Sequence, residues 1–410
     1  MTDVCSLEKK PLLTVADALQ RIHAEIQAIE NTETLSLSEA LGRVLAEPVY
    51  SPINLPPERN AAMDGYAFAS DDIKQSKCLT VVGTSWAGKP FTGSMQAGQC
   101  VRIFTGAVLP KNTDSVVMQE QVQRKGDTVD LPENIKIKQN VRAVGEDVAQ
   151  GELLLNSKKL SAVDLALLAT AGIAQIKVRR RLKIAICSTG DELVALGQPL
   201  ASGQIYDSNR YLLQGLLNDE CYQLTDLGVI VDDKEQIKQQ FLEAAAKHDV
   251  LISTGGASVG EADYIKQVLD ECGTVNFWKL AIKPGKPLTF GKINACYFFG
   301  LPGNPVSAQV TFQTVVSPAL QQLSGATVKQ RLQLTATCLS PLKKSAGRQE
   351  FQRGILRQQN GELVVESSGK QGSNLLKALS LANCYIILPS ECAGIKIGDK
   401  VIVEPFNMYF

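Results

Sequence analysis

Apolar residues return along this chain in two rhythms, and the switches between them mark its architecture. Val15, Ala18, Leu19, Ile22 and Ile26 recur at helical spacing within residues 12–30, with Thr14 placed to cap the helix. Residues 34–48 predict a second short helix around SLSEALGRVLA, ended by Pro48, before the stiff extended stretch SPINLPPERN. From 64 to 145 the text becomes short alternating strands broken by glycine, as in LTVVGTSWAGKP, GQCVRIFTGAVLP and DSVVMQEQV. Helical periodicity returns at 161–172, SAVDLALLATAG, in the style of 12–48. The β region between therefore reads as an insertion whose ends return to one parent domain.

From 181 onward strands and helices alternate. RLKIAICS, LTDLGVIVDD and DVLIST read as strands, with more strands through 276–299. DSNRYLLQGLLNDE, KEQIKQQFLEAAAK, ADYIKQVLDE and NPVSAQVTFQTVV read as helices. Ile237, Phe241, Leu242 and Ala245 form one stripe while the strands are continuously apolar, as a three-layer α/β/α domain requires. After about 326 the helices stop, and RLQLTATCL, RQEFQRGIL, ELVVES, NCYIIL and DKVIVEPF predict a final small β barrel or sheet. The expected division is 1–48 with 146–180 as an N-terminal domain, 49–145 as an inserted β domain, 181–326 as the α/β domain, and 327–410 as a C-terminal β domain. No repeat or low-complexity tract interrupts this order.

Each strand of the α/β domain ends in glycine, acid or lysine, and ligands of open α/β sheets sit at the carboxyl ends of strands. Glu192 in STGDEL, Asp232 in VDD and Asp263 in GEAD follow strands, and Asp207 opens a helix in YDSN. Acids gathered beside an anion site call for a hard cation, and carboxylates with waters suit Mg²⁺. Taken singly, Asp207 and Asp232 read first as helix caps, and only their shared position at strand ends points to a metal. STGGASVGEAD places Gly255, Gly256 and Gly260 beside Ser253, Thr254 and Ser258, so backbone N–H groups can approach an oxyanion. The stretch is neither a Walker A loop nor a dinucleotide fingerprint, and a ligand-free tight turn fits it as well.

Lys279, Lys283 and Lys286 surround Pro284, Gly285 and Pro287, a rigid turn whose mutual repulsion an anion would relieve. LPGNP then stiffens the next strand-to-helix turn, where Asn304 or the free helix N–H groups can meet a ligand, although the motif also serves as plain structure. By spacing alone Asp64-Gly65 in NAAMDGYAF reads first as a hairpin turn, Thr105-Gly106 as a β-turn, and Arg348 and Arg353 as surface charge.

Composition narrows the classes. With 42 basic and 42 acidic residues, 44% hydrophobic residues and no charge run, the chain has no field for nucleic acid or a membrane surface. The N-terminus has no signal-peptide pattern and no window reaches spanning length, so a cytoplasmic location is expected. Ten scattered cysteines read as free thiols. His23 and His248 lie in helical stretches without motif partners, which argues against imidazole metal sites and Ser-His-Asp triads.

Taken together, AMDGYA at 62–67, RIFTGA at 102–107, GED at 145–147, STGDEL at 188–193, YDSN at 206–209, STGGASVGEADY at 253–264, FWKLAIKPGKP at 277–287, LPGNPVSA at 301–308 and FQRG at 351–354 resemble the MoeA-type molybdopterin molybdenumtransferases, a family that includes the gephyrin E domain. The resemblance spans essentially the whole chain. It implies a four-domain homodimer whose active cleft lies between the α/β domain of one subunit and the C-terminal β domain of the other. It implies a transferase that takes adenylylated molybdopterin and molybdate with Mg²⁺ and yields molybdenum cofactor and AMP, receiving its pterin from an upstream adenylyltransferase.

Carried over by position, the resemblance gives catalytic roles to Asp64, Thr105, Asp147, Asp263, Lys279 and Lys283. It gives substrate contacts to Ser188, Thr189, Gly255, Gly256, Ser258, Pro302, Asn304, Pro305, Arg348, Arg353 and Ser373, and metal ligation to Glu192 and Asp232. One departure is visible: Ala61 stands where the family usually carries serine. Two rival readings follow from the same likeness. The α/β domain resembles that of the adenylyltransferases that activate molybdopterin with ATP, but those are usually that domain alone. The family domain also occurs within a receptor-clustering scaffold, whereas this chain keeps the full set of acids and lysines.

Overall fold

A computed structural model describes residues 12–255 and 264–406. The chain forms two compact units, one of residues Thr34–Leu41 and Glu47–Lys177, the other of the remainder. No helix among the described residues is long and apolar enough to cross a membrane.

The first unit is built on a six-stranded sheet in the order Ser115–Met118, Gly65–Phe68, Gln99–Ile103, Cys78–Ser85, Thr128–Asp130, Gln123–Lys125. Tyr66, Phe68, Leu79, Cys100, Val117 and Val129 fill its core. The hairpin reading of Asp64-Gly65 is wrong, because Gly65 opens a central strand paired on both sides. A Cβ there would lie 1.8 Å from the Val117 carbonyl oxygen, so the glycine serves close strand approach, not a turn. Ser161 and Asp164 form a capping box that starts the helix Ala162–Thr170, as the periodicity at 161–172 predicts.

The second short helix expected over 34–48 is also wrong. Only a single 3₁₀ turn, Leu37–Glu39, forms there. Gly42 adopts φ 73°, which an α-helix cannot accommodate. Further on, Val44 and Leu45 are buried, with Leu45 bridged to Val178 and the Val44 carbonyl accepting from the Arg179 N–H at 2.8 Å.

The second unit carries the α/β domain. Its strands are β1 (Leu182–Thr189), β2 (Tyr222–Ile230), β3 (Val250–Thr254), β4 (Gly273–Lys279), β5 (Pro287–Ile293) and β6 (Cys296–Leu301), in the order β2-β1-β3-β6-β5-β4. Strands β1, β2, β3 and β6 are parallel, β5 is antiparallel to β6, and β4 is antiparallel to β5. The carboxyl ends of β1, β2, β3, β6 and β4 and the start of β5 therefore share one rim.

Alternate residues of these strands face opposite layers. Ile184, Ile186, Ile252 and Phe299 join the core under α1 (Val15–Glu25), α2 (Asn209–Leu216), α5 (Pro305–Thr311) and α6 (Ser317–Leu323). Ala185, Leu251 and Phe298 join the core under α3 (Lys234–Lys247) and α4 (Tyr264–Cys272). Ile237 and Phe241 of the expected α3 stripe are fully buried, each worth roughly 1.5–3 kcal/mol. Thr14 caps α1 as read from the sequence.

Five strands close the C-terminal barrel: β7 (Leu334–Cys338), β8 (Gln349–Gln359), β9 (Glu362–Ser367), β10 (Cys384–Leu388) and β11 (Lys400–Pro405). The ring runs β8-β9-β7-β11-β10 and returns to β8. The two-residue strand Ile282–Lys283 adds to β8 in parallel, with Ile282 opposite Gln349 and Lys283 opposite Glu350. The barrel is thereby stitched to the α/β domain of its own chain.

Candidate active site

The rim of the central sheet has an acidic end and a basic end. Neighbouring strands lie about 4.8 Å apart, so from β2 to β4 the rim runs roughly 24 Å. That is room for an elongated ligand.

At the acidic end, Asp191 and Glu192 follow β1 and Asp232 follows β2. The Asp232 backbone N–H donates to Asp191 Oδ1 at 3.1 Å. Burial, then the charges of Asp191 and Glu192, hold the Asp232 carboxyl above its ordinary value. Like charges crowded at the surface are relieved by a cation. The helix-cap alternative fails for Asp232, since Asp233 is the residue whose side chain accepts from Gln236 N at the start of α3. It holds for Asp207, whose Oδ1 accepts from the Arg210 N–H at 3.2 Å and whose carboxylate pairs with that arginine. Among the described residues no three acids, histidines or thiols form a metal cage. Mg²⁺ needs none, because it binds through one or two carboxylates, waters and substrate phosphates. Glu192 and Asp232 fit it on that chemistry.

At the basic end lies a cavity of about 690 Å³. Lys279, Lys283, Lys286 and Arg348 line it together with Gly255, Trp278, Pro302, Asn304 and Ser373. No carboxylate lines it among the described residues. The ammonium groups of Lys279 and Lys286 have no hydrogen-bond or ion-pair partner among the described residues, whereas Lys283 Nζ pairs with Glu350 at 3.0 Å. The Lys-Pro-Gly-Lys turn is compact because Gly285 adopts φ 103°, and a Cβ there would meet Thr311 Oγ1 at 2.6 Å. Gly255 joins the two ends. It adopts φ 105°, and a Cβ on it would sit 2.6 Å from the Thr189 carbonyl oxygen, two residues before Asp191.

The cavity takes lining residues from the α/β domain, Lys279 and Asn304 among them, and from the C-terminal region of the same chain, Arg348 and Ser373 among them. Gln349 N–H donates to the Ala281 carbonyl at 3.0 Å and Val306 N–H to that of Ser373 at 3.1 Å, which fixes barrel against sheet.

Other expected residues are not among those that line the cavity. Ser188 is buried with its hydroxyl 2.9 Å from that of Thr254, and the Thr189 hydroxyl is 3.5 Å from the Thr254 carbonyl. Pro305 is the first residue of α5. Arg353, read from spacing as surface charge, is only 1% exposed. Its guanidinium donates to the Lys370 and Gly372 carbonyls at 3.1 and 3.0 Å and so holds up the loop that presents Ser373, although burial works against its charge. Asp263, Gly256 and Ser258 lie outside the described residues.

Asp64 and Thr105 meet in the first unit. Asp64 Oδ1 accepts from the Thr105 backbone N–H at 2.8 Å and hydroxyl at 2.7 Å, and these two bonds lower its pKa. In the same unit Asp147 is exposed, its backbone N–H bonded to Leu55. Ala61 is fully buried against Ala67, Ile103 and Val116, so a serine there would turn its hydroxyl into the core.

The histidines are spoken for. His23 Nδ1 bonds Gln322, and His248 contacts the Ala244 carbonyl and the Thr225 hydroxyl, each at 2.9 Å. The nine described cysteines are free thiols, and burial pushes Cys100, Cys187, Cys296 and Cys384 up to about 12, which leaves them inert at neutral pH.

Sequence reading passed over Asp191, Trp278, Gln371 and Glu350, and weighed Lys286 only as part of the turn. Asp191 carries the same strand-end signal as Glu192. Nothing local marks Glu350 or Gln371, whose roles depend on partners distant in sequence.

Comparison with known proteins covers the same ground. A family model described as the MoeA N-terminal region (domain I and II) matches residues 13–172, one described as a probable molybdopterin binding domain matches 185–322, and one described as the MoeA C-terminal region (domain IV) matches 335–406. The chain is 45% identical over 400 residues to a molybdopterin molybdenumtransferase of Haemophilus influenzae, covering 97% of this chain and 99% of that protein. It is 33% identical to gephyrin of Dictyostelium discoideum, covering 96% of this chain and 62% of that protein. A crystal structure of a molybdopterin biosynthesis MoeA protein from Pyrococcus horikoshii OT3 superposes with a TM-score of 0.83 at 30% identity, covering 97% of this chain and all of that one.

Proposed function

The chain belongs to the MoeA family, and from that premise we propose that it is a molybdopterin molybdenumtransferase, taking adenylylated molybdopterin and molybdate to molybdenum cofactor and AMP. The observation that carries this reading is the cavity itself, where four cationic side chains face one space on the same rim as three crowded carboxylates. A tetrahedral dianion suits the basic end, and a phosphate-linked substrate suits a rim of this length.

Lys279, Lys286 and Arg348 attract molybdate and neutralise charge on the phosphates, while Lys283 lines the same cavity with its charge answered by Glu350. Pro302 and Asn304 shape the opposite wall, while Arg353 holds the Ser373 loop in place. Glu192 and Asp232 would hold Mg²⁺, which when bound supplies Lewis-acid polarisation of the phosphates. An oxygen nucleophile, from water or molybdate, attacks the AMP phosphorus and breaks its bond to the bridging oxygen, so that AMP departs and the pterin keeps its own phosphate. The two dithiolene sulfurs bond molybdenum as their protons leave with one molybdate oxygen as water, with no change of oxidation state. Asp64, Thr105, Asp147 and Asp263 are assigned to the reaction by their match to the family motifs. We further infer a cytoplasmic homodimer of four-domain subunits divided at 48, 145, 180 and 326, which receives its pterin from an adenylyltransferase.

The test is AMP release from adenylylated molybdopterin with molybdate. Glu192→Ala and Asp232→Ala should each slow release and weaken its dependence on Mg²⁺; if both variants match the parent, the metal assignment falls. AMP-pterin formation from ATP and free molybdopterin would instead favour the adenylyltransferase reading.

A further inference from the structure

Glu350 stands directly behind the basic cavity and is only 5% exposed. One carboxylate oxygen accepts from Lys283 Nζ at 3.0 Å and the other from Gln352 Nε2 at 3.0 Å. Backbone pairing of Lys283 with Glu350 fixes the two residues side by side, so the ion pair is built into the joint between barrel and sheet. Gln352 cannot readily turn away, because the same amide nitrogen donates to the Lys343 carbonyl at 3.0 Å. A buried acid is costly unless paired, and here its partner is one of the four cations that line the cavity.

We propose that Glu350 sets the charge of the oxyanion cavity, holding it at three effective cations instead of four. This rests on the reading that the cavity receives molybdate. A dianion in the cavity feels the summed field of its walls, and Glu350 cancels Lys283 while no carboxylate among the described residues answers Lys279, Lys286 and Arg348. The benefit is catalytic. Tighter ground-state binding of molybdate lowers KM without raising kcat, and an oxyanion held too firmly is a poor reactant. Glu350 is thus a positioning and charge-setting residue that touches the reaction only through Lys283.

Titration calorimetry of the full chain with sodium molybdate tests this, with circular dichroism as the check on folding. Glu350→Gln keeps the shape and removes the charge, and it should bind molybdate about tenfold more tightly, with a lower KM and no gain in kcat. Removing both charges as Glu350→Gln with Lys283→Gln should return affinity to about the parent value, since the pair is deleted as neutral isosteres. A merely structural role for Glu350 predicts equal or weaker binding in the single variant, and that result overturns the proposal. Should the single variant fail to fold, the double variant decides: parent-like affinity supports the proposal, and loss of most affinity overturns it by making Lys283 a direct ligand. If the parent chain itself binds no molybdate, the reading of the cavity falls and this inference with it; if the parent binds and Glu350→Gln gains nothing, only the inference falls.

Discussion

The acidic and basic ends of the rim solve the same electrostatic problem in opposite ways. At the basic end the protein builds walls: a proline-stiffened turn, a second turn at Pro302 and Asn304, and a barrel loop enclose about 690 Å³. One of its cations is already answered by Glu350. At the acidic end Asp191, Glu192 and Asp232 are exposed. Asp232 is left with its pKa raised beside Asp191 and Glu192. A site for a tetrahedral anion has to be shaped in advance by fixed donors, whereas a site for a hydrated cation can leave most of its shell to water and substrate. The difference teaches which end carries selectivity, namely the walled one.

The comparison breaks most sharply at the cations. Lys286→Ala and Arg348→Ala each remove a charge from the cavity, and AMP release at limiting molybdate should fall by about 10²–10³-fold. A loss under threefold would put the anion elsewhere.

The link between the two ends is Gly255. Gly255→Ala forces a side chain onto a backbone at φ 105° and against Thr189, which should cost about 1–3 kcal/mol and lower the melting temperature by several degrees. An unchanged melting curve would mean that the two strand ends are not held together as described.

The smallest effect should come from Asp232→Asn. Because the folded state raises this carboxyl, the charged form detracts from stability at neutral pH, and the deficit shrinks as pH falls through the folded value and is gone below the ordinary 3.8. The asparagine variant should therefore melt slightly higher at pH 7, by an amount that fades toward pH 4. Added Mg²⁺ should raise the melting temperature of the parent more than that of the variant.

Much of this contrast was legible in the sequence because both ends are written in contiguous strand-end motifs. STGDEL, VDD and the Lys-Pro-Gly-Lys turn announce their chemistry within a few residues, and the parallel order of β1, β2, β3 and β6 brings them to one rim. Pairings across the fold were not legible. Lys283 with Glu350 joins positions 67 apart, and Arg353 reads as surface charge until its bonds to the Lys370–Gly372 carbonyls are seen. Local signals also misled where tertiary packing overrode them. Asp64-Gly65 looks like a hairpin turn, yet Gly65 lies in a central strand where the neighbouring backbone leaves no room for a side chain. The helix expected over 34–48 shrinks to one turn, because Gly42 adopts a left-handed conformation and Leu45 pairs with Val178.

The central claim is that one rim holds an oxyanion at the lysine end and a divalent cation at the carboxylate end. Crystals soaked in molybdate and Mn²⁺, with anomalous data collected for both metals, address it directly. The account predicts molybdenum density among Lys279, Lys286 and Arg348 and manganese density at Glu192 and Asp232. Molybdenum density outside this cavity, or manganese bound away from those two acids, would contradict it.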